Sequence, residues 1–139
     1  MKWIIIASLL LVALACSKDK DPGFTSAEGK WKYTTPDSKI AVTFELVKTP
    51  SGGFDITNPT IKIDGTLYNA EKQISGVSLP VIGTIRINAN DSKAVYPYNI
   101  IFNNGVVSSD FTKIEVPDAT YTFPWPTVKA LKTIVIERQ

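Results

Sequence analysis

The sequence predicts an all-β protein, an antiparallel β-sandwich of about eight short strands, with a closed barrel as the alternative. Three observations predict it. Run after run alternates apolar and polar residues with a period of two. Turn signals built on Gly, Pro, Asn and Asp recur about every ten residues. No segment keeps a helical period long enough to make a convincing helix.

The elements follow in order. Lys30 to Thr35 alternates, with Trp31 and Tyr33 on one face and lysines on the other, which is the pattern of a half-buried strand. Pro36-Asp37-Ser38 is a turn. Lys39 to Lys48 is the clearest strand: Ile40, Val42, Phe44 and Leu46 point one way, and Ala41, Thr43 and Glu45 the other. Residues 49–53 (T-P-S-G-G) form a hairpin loop. Phe54 to Asp64 reads as two short strands, or as one strand interrupted at Asn58-Pro59, where the missing N–H marks an edge or a bulge. Asp64-Gly65 signals a tight turn before Thr66-Leu67-Tyr68-Asn69.

Residues 70–80 fit a loop, a short helical turn or an irregular strand ending at Pro80. Val81 to Asn88 alternates again, and residues 89–93 are a polar loop. Val95 to Asn103 places Tyr96, Tyr98, Ile100 and Phe102 on one face, and Asn103-Asn104-Gly105 signals a turn. Val106 to Ser109 and Phe111 to Val116 continue the pattern up to a turn at Pro117-Asp118-Ala119. Thr120 to Phe123 is a short strand, broken by Pro124-Trp125-Pro126. Thr127 to Lys132 fits one helical turn, and a last strand runs to Arg138.

Prolines 59, 97, 117 and 124 favour the sandwich, because prolines gather on edge strands and a sandwich has edges. The barrel has one resemblance in its support. Gly29-Lys30-Trp31 resembles the Gly-x-Trp that opens the first strand of lipocalins. The resemblance implies a basic residue on the last strand packing across that tryptophan, and Arg138 stands in that place.

The N-terminus is built differently. Met1-Lys2 is followed by thirteen residues without a charge, Trp3 to Ala15, then Cys16 and the polar run S-K-D-K-D-P. A membrane-spanning helix takes roughly 20 apolar residues, so this run fits the core of a secretory signal better than a span. Ala13-Leu14-Ala15-Cys16 resembles the cleavage site of bacterial lipoproteins. That resemblance implies cleavage before Cys16, acylation of its Sγ, and an outer-membrane lipid anchor. Two alternatives stay open: plain secretion with a free thiol, and an uncleaved anchor. The chain then divides into a signal peptide (1–15), a flexible tether (16–23) and a single all-β domain (24–139). The charged tether is similar to those of small Bacteroidetes-type lipoproteins, with the domain facing either the periplasm or the cell exterior.

Composition narrows the function. The chain has no histidine, and its one cysteine is Cys16. Ser-His, Cys-His and zinc-site chemistry are therefore excluded. Of 15 Lys and Arg, Lys2 leaves with the signal, so 14 remain against 13 Asp and Glu. That balance, with no basic cluster along the chain, argues against nucleic acid. No enzyme activity, cofactor or metal is expected. Asn88-Ala89-Asn90-Asp91 has oxygen side chains but one carboxylate, too few for calcium. Asp37, Asp55, Asp64, Asp110 and Asp118 all fall at turns or strand ends, and no spacing pairs two of them.

The candidate binding residues are Tyr121, Phe123 and Trp125, held in an extended stretch by Pro124 and Pro126. A rigid aromatic segment suits a sugar ring or a protein partner, or it plugs one end of the domain. Two functions follow. In the first, a non-enzymatic envelope lipoprotein binds a glycan or a partner protein. In the second, a lipocalin-like carrier holds a small apolar ligand in a cavity lined by Trp31, Tyr33, Phe44 and Tyr98. The first predicts a filled core, the second an interior cavity.

Overall fold

The computed structural model describes residues 23–89, 98–122 and 128–139, without the side chains of residues 76 and 77. Cys16 and the signal lie outside the described residues. The chain forms β1 (Gly29–Thr34), β2 (Ile40–Lys48), β3 (Phe54–Ile63), β4 (Thr66–Ser78) and β5 (Val81–Ala89). It continues through β6 (Asn99–Val107), β7 (Lys113–Val116), β8 (Asp118–Thr122), β9 (Val128–Leu131) and β10 (Ile134–Arg138).

The strands from β1 to β7 pair antiparallel in chain order, β8 pairs with β6 and β9, and β10 pairs with β7 and returns to β1 through Trp31↔Arg138 and Lys32↔Glu137. The ten segments make eight staves. β6 faces β7 and β8 in one unbroken register, from Val107↔Ile114 to Asn99↔Thr122. β10 and β9 continue each other in the same way on the far side, from Glu137↔Lys113 to Val128↔Thr122. The result is a closed eight-stranded antiparallel barrel.

The predicted sandwich is thus corrected to the barrel alternative. Prolines 97 and 124 lie outside the described residues; Pro59 and Pro117 misled because a missing N–H is tolerated wherever the ladder is interrupted, and a bent barrel wall interrupts it as well as an edge does. Pro59 sits in a bulge: Asn58, with φ at 49°, and Pro59 lie together opposite Phe44, and the β2–β3 register slips there. Beyond the bulge the β3–β4 ladder also stops, at Thr60↔Asn69. The opened seam is bridged by the Lys72 ammonium and the Asp55 carboxylate, which the hydrogen bond from Lys72 holds below its usual range. Pro117 lies within a single stave, between β7 and β8.

Two more expectations change, and one open reading is decided. Asn103-Asn104-Gly105 is a kink inside β6, where Asn104 takes φ of 55° without reversing the chain. The buried positions shift phase at this level in three neighbouring strands, after Ile82, Phe102 and Val116. The register survives because all three shift together. A side-chain ladder follows the bend: Thr84 Oγ1 donates to Asn103 Oδ1 (3.1 Å), and Asn103 Nδ2 to Asp118 Oδ2 (3.2 Å). Residues 70–78, unreadable in sequence, belong to β4, and the expected helical turn near Thr127 is strand β9 from Val128.

The core fills the barrel with Trp31, Phe44, Leu46, Phe102 and a set of isoleucines from β2, β3, β5, β6, β7 and β10. Gly105 is required by this packing. A Cβ there would lie 2.9 Å from Ile114 Cγ2.

One connection yields a prediction. In the turn between β6 and β7, the Asp110 carboxylate accepts from Ser108 Oγ (2.6 Å), Thr112 Oγ1 (2.8 Å) and Thr112 N–H (3.2 Å). These bonds favour the charged form and lower its pKa to about 2. The folded value is below the unfolded one, near about 4. The contribution is therefore present above about pH 4 and fades as pH falls toward the folded value. Carbon-detected NMR should place the Asp110 titration about two units below a model aspartate, with the turn amides of Thr112 and Lys113 moving in step. A midpoint near the model value would contradict the bonding described.

Candidate functional site

The two ends of the barrel differ. The base collects the lead-in at 24–28, the 49–53 loop, the Leu79-Pro80 turn, the Asp110 turn and the C-terminus. The Trp31 indole closes it from within. Its Nε1–H donates to Ala27 O (3.0 Å), and the ring is fully buried. The Arg138 guanidinium lies between two rings, 4.4 Å from the Phe24 centroid and 5.2 Å from that of Trp31. It also donates to the carbonyls of Ser26 and Glu28. The contact anticipated from Gly29-x-Trp31 and Arg138 is present.

The opposite end, the mouth, collects the 35–39 and 64–65 turns and the ends of β5, β6, β8 and β9. Four tyrosines gather there. Tyr33 ends β1, Tyr68 opens β4, Tyr98 precedes β6 and Tyr121 lies near the end of β8. Tyr68 and Tyr98 meet edge to face, with centroids 5.3 Å apart at 62°. Tyr33 packs edge-on against Phe102, at 6.0 Å and 81°. Lys129 Nζ stands 5.8 Å above the Tyr121 ring.

Burial raises the Tyr33 phenol above its ordinary pKa, and the charges of Tyr121 and Asp37 raise it further. Tyr98 is raised by desolvation first and by Tyr68 next. Both phenols are thus neutral hydrogen-bonding groups at any physiological pH. The turn beside them is rigid. Thr35, buried, donates from Oγ1 to Asp37 Oδ1 (2.6 Å) and accepts from Ile40 N–H (3.1 Å).

Inside the mouth, Ile40, Ile61, Ile63, Tyr98, Ile100 and Tyr121 border a recess with about 10 Å³ of open room, enough for one water at most. A larger recess of about 450 Å³ lies on the outer wall, where Lys30, Thr43, Glu45, Asn58 and Gln139 line it. Trp31 and Phe44 border it too, but they are 0% and 2% exposed, so their rings belong to the core. The four residues expected to line a carrier cavity therefore pack together or at the mouth. Among recesses lined by the described residues, none inside the barrel has ligand size.

Of the predicted site residues, Tyr121 is half-buried at the mouth, whereas Phe123, Trp125 and Cys16 lie outside the described residues. The structure adds Tyr68, which sequence reasoning missed as a site residue; of the tyrosines expected to line a cavity, Tyr33 is buried in the core beneath the mouth and Tyr98 is half-buried at it. Their signal was position along the meander. In an up-and-down barrel every second connection lies at the same end, and these residues all flank such connections.

Among the described residues no group of three or more Asp, Glu, Cys or His is placed to hold a metal, and no helix is long and apolar enough to cross a membrane. Comparison of the chain with protein-family models, with curated proteins and with solved structures found no match.

Proposed function

We propose that this chain is an envelope lipoprotein with a lipocalin-like barrel that binds a glycan or a partner protein at its tyrosine-bearing mouth. The observation that carries the reading is the gathering of the half-buried Tyr68, Tyr98 and Tyr121 at one end, above the buried Tyr33. Tyrosine presents an apolar face and a hydroxyl on a side chain with little freedom to lose, which suits a sugar ring or a protein surface. The described residues border no interior recess of ligand size, which supports surface binding over a carrier role. The barrel architecture and the Arg138–Trp31 contact support the lipocalin-like description.

The anchor reading gives the mouth a direction. The tether enters at the base through Phe24–Glu28, clamped by Arg138, so acylated Cys16 would hold the mouth away from the membrane. Metabolic labelling with a clickable fatty acid should mark the wild-type chain and not Cys16→Ser. An unlabelled wild type would remove the anchor from the proposal.

For the mouth, the full chain extracted in mild detergent would be screened on a glycan array beside Tyr98→Ala and Tyr121→Ala. Retained binders should weaken about tenfold or more, the scale of losing one aromatic contact of about 1.4 kcal/mol. Binding unaffected by both substitutions would place the site elsewhere.

A further inference from the structure

The outer wall near the mouth carries a second feature, independent of the tyrosines. Thr34 of β1, Ala41 of β2 and Lys62 of β3 stand in one cross-strand row. One row below, Lys32 lies opposite Thr43; above, Lys39 bonds through its carbonyl to Asp64 N–H. The small Ala41 side chain leaves a dip at the centre. Lys32, Lys39 and Lys62 ring that dip, and Thr34, Ser38 and Gly65 complete it, for a groove of about 320 Å³.

No carboxylate lines this groove. The nearest ones stand at its rim. Asp37 is held by Thr35 Oγ1 and Lys39 N–H. Glu137, opposite Lys32, lines the adjoining recess, which shares Lys32 and Thr34 with the groove, but it forms no ion pair with Lys32. Asp64 lies in the turn above. The ion pairs among the described residues are Lys72–Asp55 and Lys113–Glu115, so none of the three lysines is neutralised by one. Asp37 acts on Lys39 and Glu137 stands across from Lys32, but the groove itself is lined by three ammoniums and no carboxylate, which favours an anion on its floor. Lysine serves as a point charge for phosphate, and hydroxyls beside it add donors.

We propose that this groove binds a phosphate monoester carried by a sugar. The charge selects the phosphate. The groove is larger than a bare phosphate, and the hydroxyls of Thr34 and Ser38 flank the space for the attached ring. The proposal does not rest on the mouth reading and fails or stands without it.

The test uses the isotope-labelled full chain in neutral detergent, titrated with glucose 6-phosphate and, in parallel, with glucose. The expected result is saturable amide shifts confined to Thr34, Ala41, Lys62 and Gly65 with the phosphate and none with glucose. The double variant Lys32→Gln/Lys62→Gln should weaken binding about tenfold or more. Ala41→Glu, which places a carboxylate on the groove floor, should abolish it. Both variants alter outward-facing side chains, and their amide spectra report folding directly; single Lys39→Gln serves if the double variant misfolds. Shifts that never saturate, that spread over all surface lysines, or that persist in Ala41→Glu would overturn the proposal. So would response only to vesicles of anionic lipid, which would make the face a membrane contact.

Discussion

Trp31→Ala should destabilise the protein by about 3–5 kcal/mol, the range for emptying a buried large aromatic position. The indole is fully buried, so its removal leaves a space that close-packed neighbours fill only in part. Its loss also removes the acceptor face under Arg138 and leaves Ala27 O without the Nε1–H partner. Native domains have only about 5–15 kcal/mol of stability in total, so this one change is large. Urea unfolding followed by circular dichroism measures it, with the loss read as a fall in midpoint at constant slope. Trp31→Phe separates the parts: it keeps most of the apolar volume, lacks the hydrogen bond, and should cost about 1–2 kcal/mol. A loss under about 1 kcal/mol for Trp31→Ala would mean that the base is closed by something other than the indole.

How far the sequence led depended on whether a feature was local. Strand existence was local. The alternation at Ile40–Val42–Phe44–Leu46 needs no partner to be seen, and all four side chains are buried. Barrel closure was not local. It rests on Trp31 meeting Arg138 across nearly the whole described chain, and no window of alternation contains both. The turns at 36–38, 49–53 and 64–65 reverse the chain as read, whereas those at 103–105 and 117–119 break the regular backbone without reversing it. Asn103-Asn104-Gly105 supplies a positive φ and a side-chain-free position, and both are used for a bend shared by three strands. The mouth was the least legible part. Tyr98 shares its alternation with Ile100 and Phe102, which marks a face but not a height along the strand. Only the up-and-down order converts strand ends into one end of a barrel and brings Tyr33, Tyr68, Tyr98 and Tyr121 together.

Gly29→Ala should be the most damaging change at any described glycine, about 2–4 kcal/mol, although it adds one methyl group. Gly29 has φ of +121°, which an L side chain rarely adopts, and the strain of such a residue is of order 1–3 kcal/mol. The second part is the guanidinium. An added Cβ would lie 2.6 Å from Arg138 Nη2. Arg138 is long enough to swing aside, but only by leaving the Phe24 and Trp31 rings and the Ser26 and Glu28 carbonyls. Arg138→Ala alone forfeits the same contacts and should cost about 1–3 kcal/mol. The two losses therefore overlap. In the Arg138→Ala background Gly29→Ala should cost only its backbone strain, and the double-mutant cycle should show coupling of about 1–2 kcal/mol. Arg138→Lys should recover less than half of the alanine loss, because an ammonium keeps the charge without the planar face that stacks between two rings. Additive losses would separate the glycine from the arginine. Coupling of the expected size would show that Gly29, Trp31 and Arg138 act as one lock, joining the first strand to the last and fixing where the lead-in leaves the barrel.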